Sequence, residues 1–192
     1  RQEPDRGITL NMPVNALKEE SFIGRRDALQ SLYRRVLEAE RNAAQSIVLS
    51  GVGGIGKTEL LKQFFTHLFW KQEAIAPFYY SVNSALLAVP QFARDYLVCF
   101  LSQRLAFEGK EQSLLHLEGA TVRDLAVWAR HRSVTWASDL LERFQRCVDD
   151  PLDMLRIALH APLQSTLITG KPVVVMIDDF HKLSKLHRDG ST

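Results

Sequence analysis

The stretch "GVGGIGKTEL", residues 51–60, directly follows the apolar run "SIVLS". Two phosphate-binding spacings overlap in it. Gly51-x-Gly53-x-x-Gly56 is the spacing of a loop that cradles a dinucleotide pyrophosphate, and Gly51-x-x-x-x-Gly56-Lys57-Thr58 is that of a nucleoside-triphosphate loop. The dinucleotide reading needs an acid at the end of the following strand, to take the ribose hydroxyls. That strand ends "SVNSA", with none, and Lys57 and Thr58 are left without a task. The triphosphate reading uses both. Backbone N–H groups of residues 53–58, at a helix N-terminus, would wrap the β-phosphate. Lys57 would bridge the β- and γ-phosphates and the Thr58 hydroxyl would ligate Mg²⁺. Gly51, Val52, Gly53, Gly54, Ile55, Gly56, Lys57, Thr58 and Glu59 are therefore expected to form the loop that holds ATP or ADP. Four fixed positions coincide by chance in roughly one in a hundred chains of this length.

A second chemical segment is "VVVMIDD", residues 173–179. An apolar strand that ends in two carboxylates is costly unless they meet a cation or water. Asp178 is expected to hold Mg²⁺, mostly through water, which makes Thr58 and Asp178 the metal pair. Asp179 is placed to polarise the attacking water, so Asp179 and Lys57 are the catalytic candidates. Other polar residues are weaker candidates. His181 adjoins the site, Asn83 ends the second strand, and Lys182, Lys185 and Arg188 form a small basic run.

These segments need elements to position them. Leu29, Leu32, Tyr33, Val36 and Leu37 recur at helical spacing, so a helix begins near Asp27. "QSIVLSG" reads as a short buried strand feeding the loop. A helix starts at Lys57, with Leu60, Leu61, Phe64, Phe65, Leu68 and Phe69 on one face. "APFYYSVN", residues 76–83, is aromatic and β-branched enough for a second strand. A third helix spans about 90–107, and Thr121-x-x-Asp124 reads as a capping box. Another helix covers 138–148, and Asp150-Pro151 opens one more with Leu152, Leu155 and Leu159 inward. "KPVVVMIDDF" reads as a strand covered on both faces. Trp128 and Trp136 read as packing residues of a helical insert, about 108–168.

Strands alternating with helices imply a parallel sheet whose ligands sit at the strands' carboxyl ends. The expected fold is α/β, a three-layer P-loop NTPase with a helical insert. Residues 1–20 are expected to form an extended arm and residues 21–192 the N-terminal part of the ATPase domain, a fragment of a longer protein.

Composition sets outer bounds. The chain has 192 residues, 46% hydrophobic and 24% charged, with net charge +2. That is a globular balance, and the charge is too small to argue for a nucleic-acid surface. Cys99 and Cys147 have no metal-ligand spacing and suit buried free thiols in a reducing cytoplasm. No apolar run approaches the ~20 residues that span a bilayer, so no membrane partner is expected.

A third segment, "SFIGRRDALQSL", residues 21–32, gains meaning beside the other two. Together they resemble the AAA+ and STAND ATPases, whose hydrophobic-hydrophobic-Gly-Arg motif packs on the adenine. The resemblance places Phe22, Ile23, Gly24 and Arg25 near the base. Arg26 and Ala28 stand where that motif usually carries glutamates. "GVGGIGKTEL" looks like the phosphate loops of STAND proteins, including plant resistance proteins and apoptotic scaffolds, and "IDDFHKL" looks like the aspartate pair of bacterial STAND regulators. The resemblance implies a slowly hydrolysing ATP switch that works through protein partners or self-assembly outside this segment. The alternative is a DNA-associated AAA+ ATPase of the origin-recognition or transposition-helper type, which would need a basic face or an appended DNA-binding domain.

Overall fold

The computed structural model describes residues 24–41, 46–83, 88–110, 114–115 and 121–186. Phe22, Ile23, Arg188 and the expected arm over 1–20 lie outside the described residues. The elements are α1 (Arg26–Arg41), α2 (Lys57–Lys71), β1 (Ala76–Ser81), α3 (Val89–Gly109), α4 (Val122–His131), α5 (Thr135–Arg146), α6 (Pro151–Thr169) and β2 (Val173–Asp178). A 3₁₀ helix over Phe180–Lys185 follows β2.

β1 and β2 pair in parallel, with Ala76 opposite Val173 and Ser81 opposite Asp178. Two bonds fix the direction of each backbone group. Ala76 N donates to Pro172 O at 2.9 Å and Val82 N donates to Asp178 O at 3.1 Å. Even-numbered residues of β1 therefore face β2, and Pro77, Tyr79 and Ser81 turn their backbone groups outward. Pro77 has no N–H to offer there. Tyr79 has both of its groups taken by one side chain: its N donates to Gln103 Oε1, and Gln103 Nε2 donates to its carbonyl, each at 2.8 Å.

Aromatic packing joins the sheet to α3. Phe78 meets Tyr96 and Phe100 edge-on at 5.1 and 5.2 Å between ring centroids, and Tyr80 meets Phe92 and Tyr96. α2 supplies Phe64, Phe65, Leu68 and Phe69, all buried. Ala158 and Ala161, fully buried, let α6 approach α3 closely. The Arg104 guanidinium lies in that contact, 1% exposed. It donates to Ser165 Oγ and Thr169 Oγ1 at 3.0 Å each, and Nη1 forms an ion pair with Glu108 at 2.8 Å.

The caps match their sequence signals. Thr121 Oγ1 accepts from Asp124 N, while the Asp124 carboxylate accepts from Thr121 N. Asp150 Oδ1 accepts from Leu152 N and Asp153 N at the start of α6. Trp128 and Trp136 are half-buried, each beside an arginine: Arg132 lies over Trp128 and Arg104 over Trp136.

Three expectations are corrected. The run 46–50 forms no strand and joins no sheet among the described residues, with Val48 87% exposed. It lies against α1 and Leu60 across an open groove lined by Leu32, Arg35 and Ile47. An apolar run becomes a buried strand only where a ladder and cover on both faces are supplied, and here neither is formed. β2 is likewise not covered on both faces: Met176 and Asp178 are buried, but Val175 is 41% exposed. In α6 the inward stripe is Met154, Ile157, Ala158, Ala161 and Ser165, while Leu152 and Leu159 are each 45% exposed. Close approach to α3 selects the small side chains. Among the described residues the fold is α/β, a two-stranded parallel sheet with helices packed on it.

Candidate functional site

The loop from Gly51 to Gly56 turns through positive φ at Gly54 (76°) and Gly56 (86°), a region other residues enter at a cost. Gly56 is also the N-cap of α2, so the helix opens directly from the loop. Its first-turn N–H groups and its dipole make that end suited to an anion. Gly51, Val52, Gly53, Gly54, Ile55 and Thr58 are exposed, and Glu59 is half-buried in the first turn of α2.

Lys57 folds back over its own loop. Its Nζ donates to Gly51 O at 2.8 Å and to Val52 O at 3.0 Å. The ammonium is thereby held inside the turn, on carbonyls that a phosphate oxygen can replace as partner. Arg25 reaches the same loop from the start of α1: its guanidinium donates to the Ile55 carbonyl and lies 3.8 Å from where a Cβ on Gly56 would stand. Gly24, just before it, has φ of 83° and is exposed. Arg25 thus joins the segment 21–32 to the glycine loop in space.

Asp178 ends β2, 9% exposed. Its Oδ1 accepts from Asp179 N and its Oδ2 from the Tyr79 hydroxyl, both at 3.0 Å. No lysine or arginine among the described residues pairs with it. Burial and the Asp178 carboxylate together push the Tyr79 phenol above its usual titration range. Asp179 differs in every respect. It sits in the left-handed region at φ 55°, which Asp tolerates better than most residues. Its carboxylate is 39% exposed and is paired with Lys182 Nζ at 2.5 Å. His181, Ser81 and Asn83 are exposed.

Tyr79, Gln103 and Lys182 as partners of this site were missed by the sequence reading. The strand pattern marks Tyr79 only as buried, and nothing local ties it to residues 24 and 99 positions away.

The donor set suits Mg²⁺. Thr58 offers an exposed hydroxyl and Asp178 a carboxylate without a basic partner, both hard oxygen ligands. No group of three or more His, Cys, Asp or Glu side chains gathers as a metal cage among the described residues. Mg²⁺ does not require one, since it keeps several waters and is held by one or two protein groups plus phosphate oxygens.

A parallel sheet followed at one strand end by an acidic pair, and a glycine loop that opens a helix packed on that sheet, are the outline of a nucleotide-binding α/β domain. The family model for the AAA ATPase domain matches residues 21–189, and the chain belongs to that family. No curated protein and no solved structure matches the chain. Among the described residues, no helix is long and apolar enough to cross a membrane.

Proposed function

We propose that the chain is a STAND-type nucleotide switch that binds ATP or ADP with Mg²⁺ and hydrolyses ATP slowly. Family membership supports an ATP-binding ATPase. The slow rate is carried by one observation, the ion pair that holds Asp179 on Lys182. The carboxylate is committed to an ammonium, and its side chain must leave that contact to reach water.

In this reading residues 51–59 hold the phosphates, with Lys57 exchanging its two carbonyl partners for phosphate oxygens. Phe22, Ile23, Gly24 and Arg25 take the base side. Thr58 and Asp178 hold the cation, which neutralises charge on the phosphate oxygens when bound. Asp179 orients and deprotonates water. The switch would act on protein partners or through self-assembly, in a cytoplasmic setting.

Calorimetry with ATP, ADP and NAD, with and without Mg²⁺, tests the binding half. Adenine nucleotide binding strengthened by Mg²⁺ is expected, and tight NAD binding without ATP binding would end the proposal. Single-turnover hydrolysis in the full-length protein tests the rest. Asp179→Asn should keep ATP affinity and slow turnover by about 10²–10⁴-fold. Equal turnover by wild type and variant would remove Asp179 from catalysis. Turnover stimulated by duplex DNA would move the assignment to the DNA-associated alternative.

A further inference from the structure

Asp178 carries a partner that no motif supplies. The parallel register sets Tyr79 opposite Met176 and Ser81 opposite Asp178. Side chains two residues apart on a strand share a face, so Tyr79 reaches Asp178 along the diagonal. The Tyr79 hydroxyl donates to Asp178 Oδ2 at 3.0 Å in a buried setting.

The tyrosine is itself fixed from behind. Gln103, 7% exposed on α3, takes both backbone groups of Tyr79 with its amide. Cys99 one turn earlier adds a longer contact from Sγ to the Tyr79 carbonyl. Backbone position and side-chain direction of Tyr79 are therefore both determined by buried contacts.

An ionised carboxylate has about four acceptor sites. At Asp178 the Asp179 N–H and the Tyr79 hydroxyl fill two of them, one on each oxygen. About two remain for the waters of a hydrated cation. The two bonds also set the plane of the carboxyl group, which decides where those waters can sit.

We propose that Tyr79, clamped by Gln103, is the positioning residue for Asp178 and sets the affinity of the nucleotide site for its divalent cation. The inference rests on the nucleotide-binding reading above. Hydrogen-bonded partners of metal-holding groups typically change metal affinity by about 10–100-fold when removed. The nucleotide itself is held by the loop and by Arg25, which Tyr79 does not touch.

The test is Tyr79→Phe in the full-length protein, with two readouts besides turnover. ATP affinity measured in EDTA should equal that of wild type. The Mg²⁺ concentration at half-maximal enhancement of ATP binding should rise by about 10-fold or more. Mn²⁺ bound to the ATP complex, followed by electron paramagnetic resonance, should weaken in parallel. A phenol that only satisfies its own buried hydroxyl would lower the melting temperature and leave both cation midpoints in place, which overturns the proposal. So would a tighter cation midpoint, the result expected if the phenol competes with the cation for Asp178. Should Tyr79→Phe not fold, Gln103→Leu frees the Tyr79 backbone while leaving both functional groups intact. The same rightward shift supports the proposal and an unmoved midpoint overturns it. Wild type whose ATP binding ignores Mg²⁺ would instead bring down the nucleotide-site reading itself.

Discussion

At the scale of residues, the loop's behaviour turns on where Lys57 puts its charge. Its ammonium rests on two carbonyls of the loop and on no core group. Lys57→Ala should therefore abolish ATP binding in calorimetry while the melting temperature stays near that of wild type. An unfolded variant, or one with undiminished ATP affinity, would contradict the role given to it. The glycines, Lys57, Thr58 and both aspartates were legible in the sequence because short fixed spacings report a loop and a strand tip directly. Tyr79, Gln103 and Lys182 were not. The Tyr79 and Gln103 contacts depend on register between strands and on which face of α3 meets an edge, neither of which spacing encodes, whereas Lys182 meets Asp179 only because the chain turns through a 3₁₀ helix directly after β2.

The two cysteines separate by the same local physics. Burial pushes the Cys99 thiol up to about 12, so almost no thiolate exists at neutral pH. Iodoacetamide at pH 8 should label Cys147 well before Cys99 in the folded protein, as peptide mass spectrometry would show. Equal labelling rates would mean that the Cys99 end of α3 opens readily.

At the scale of elements, α4 depends on its cap. The Asp124 carboxylate accepts from the Thr121 backbone and then from its hydroxyl, and these bonds hold its pKa below 3.8. A lowered folded value means that the cap's contribution is present above the unfolded carboxylate range and is lost as pH falls through the folded value. Thr121→Ala should move the Asp124 titration, read from its carboxyl carbon by NMR, back toward 3.8. An unchanged titration would assign the shift to the backbone bond alone. The capping box was legible because its signature is four residues long. The phase of α6 was not, because its leucines and its alanines mark different faces of the helix and hydrophobicity alone favours the leucines. Ala158 and Ala161 face α3 since small residues permit close helix contact, whereas Leu159 and Leu163 remain exposed. The run 46–50 misled for a related reason. Apolar character reports a preference for burial, while strand formation also needs a ladder partner in place.

At the scale of the whole molecule, Arg104 binds the parts into one. It joins Ser165 and Thr169 of α6, Glu108 of its own helix and the ring of Trp136 on α5. Burial works to strip its charge and Glu108 opposes this. Glu108→Ala leaves a buried guanidinium short of its counter-charge and should cost about 1–3 kcal/mol. Chemical denaturation should show the midpoint falling with the slope unchanged, the sign of lost stability rather than of altered compactness. A midpoint within experimental scatter of wild type would mean that water replaces Glu108 at no cost. The α/β plan itself was legible from the alternation of patterns, because each helix and strand carried its own period. How many strands would pair was not, since pairing is decided between segments.

The outer margin of β1 has a consequence for aggregation. An open strand margin is a template on which a foreign strand can dock, and chains that leave one bare tend to form fibrils. Here the three outward positions are Pro77, which lacks a donor, Tyr79, whose two groups are already engaged by Gln103, and Ser81 at the strand's end. A glutamine amide imitates the backbone of a neighbouring strand and, being a single side chain, ends the ladder there. The sheet is therefore polar in its growth: further strands can be added beside β2 but not beside β1.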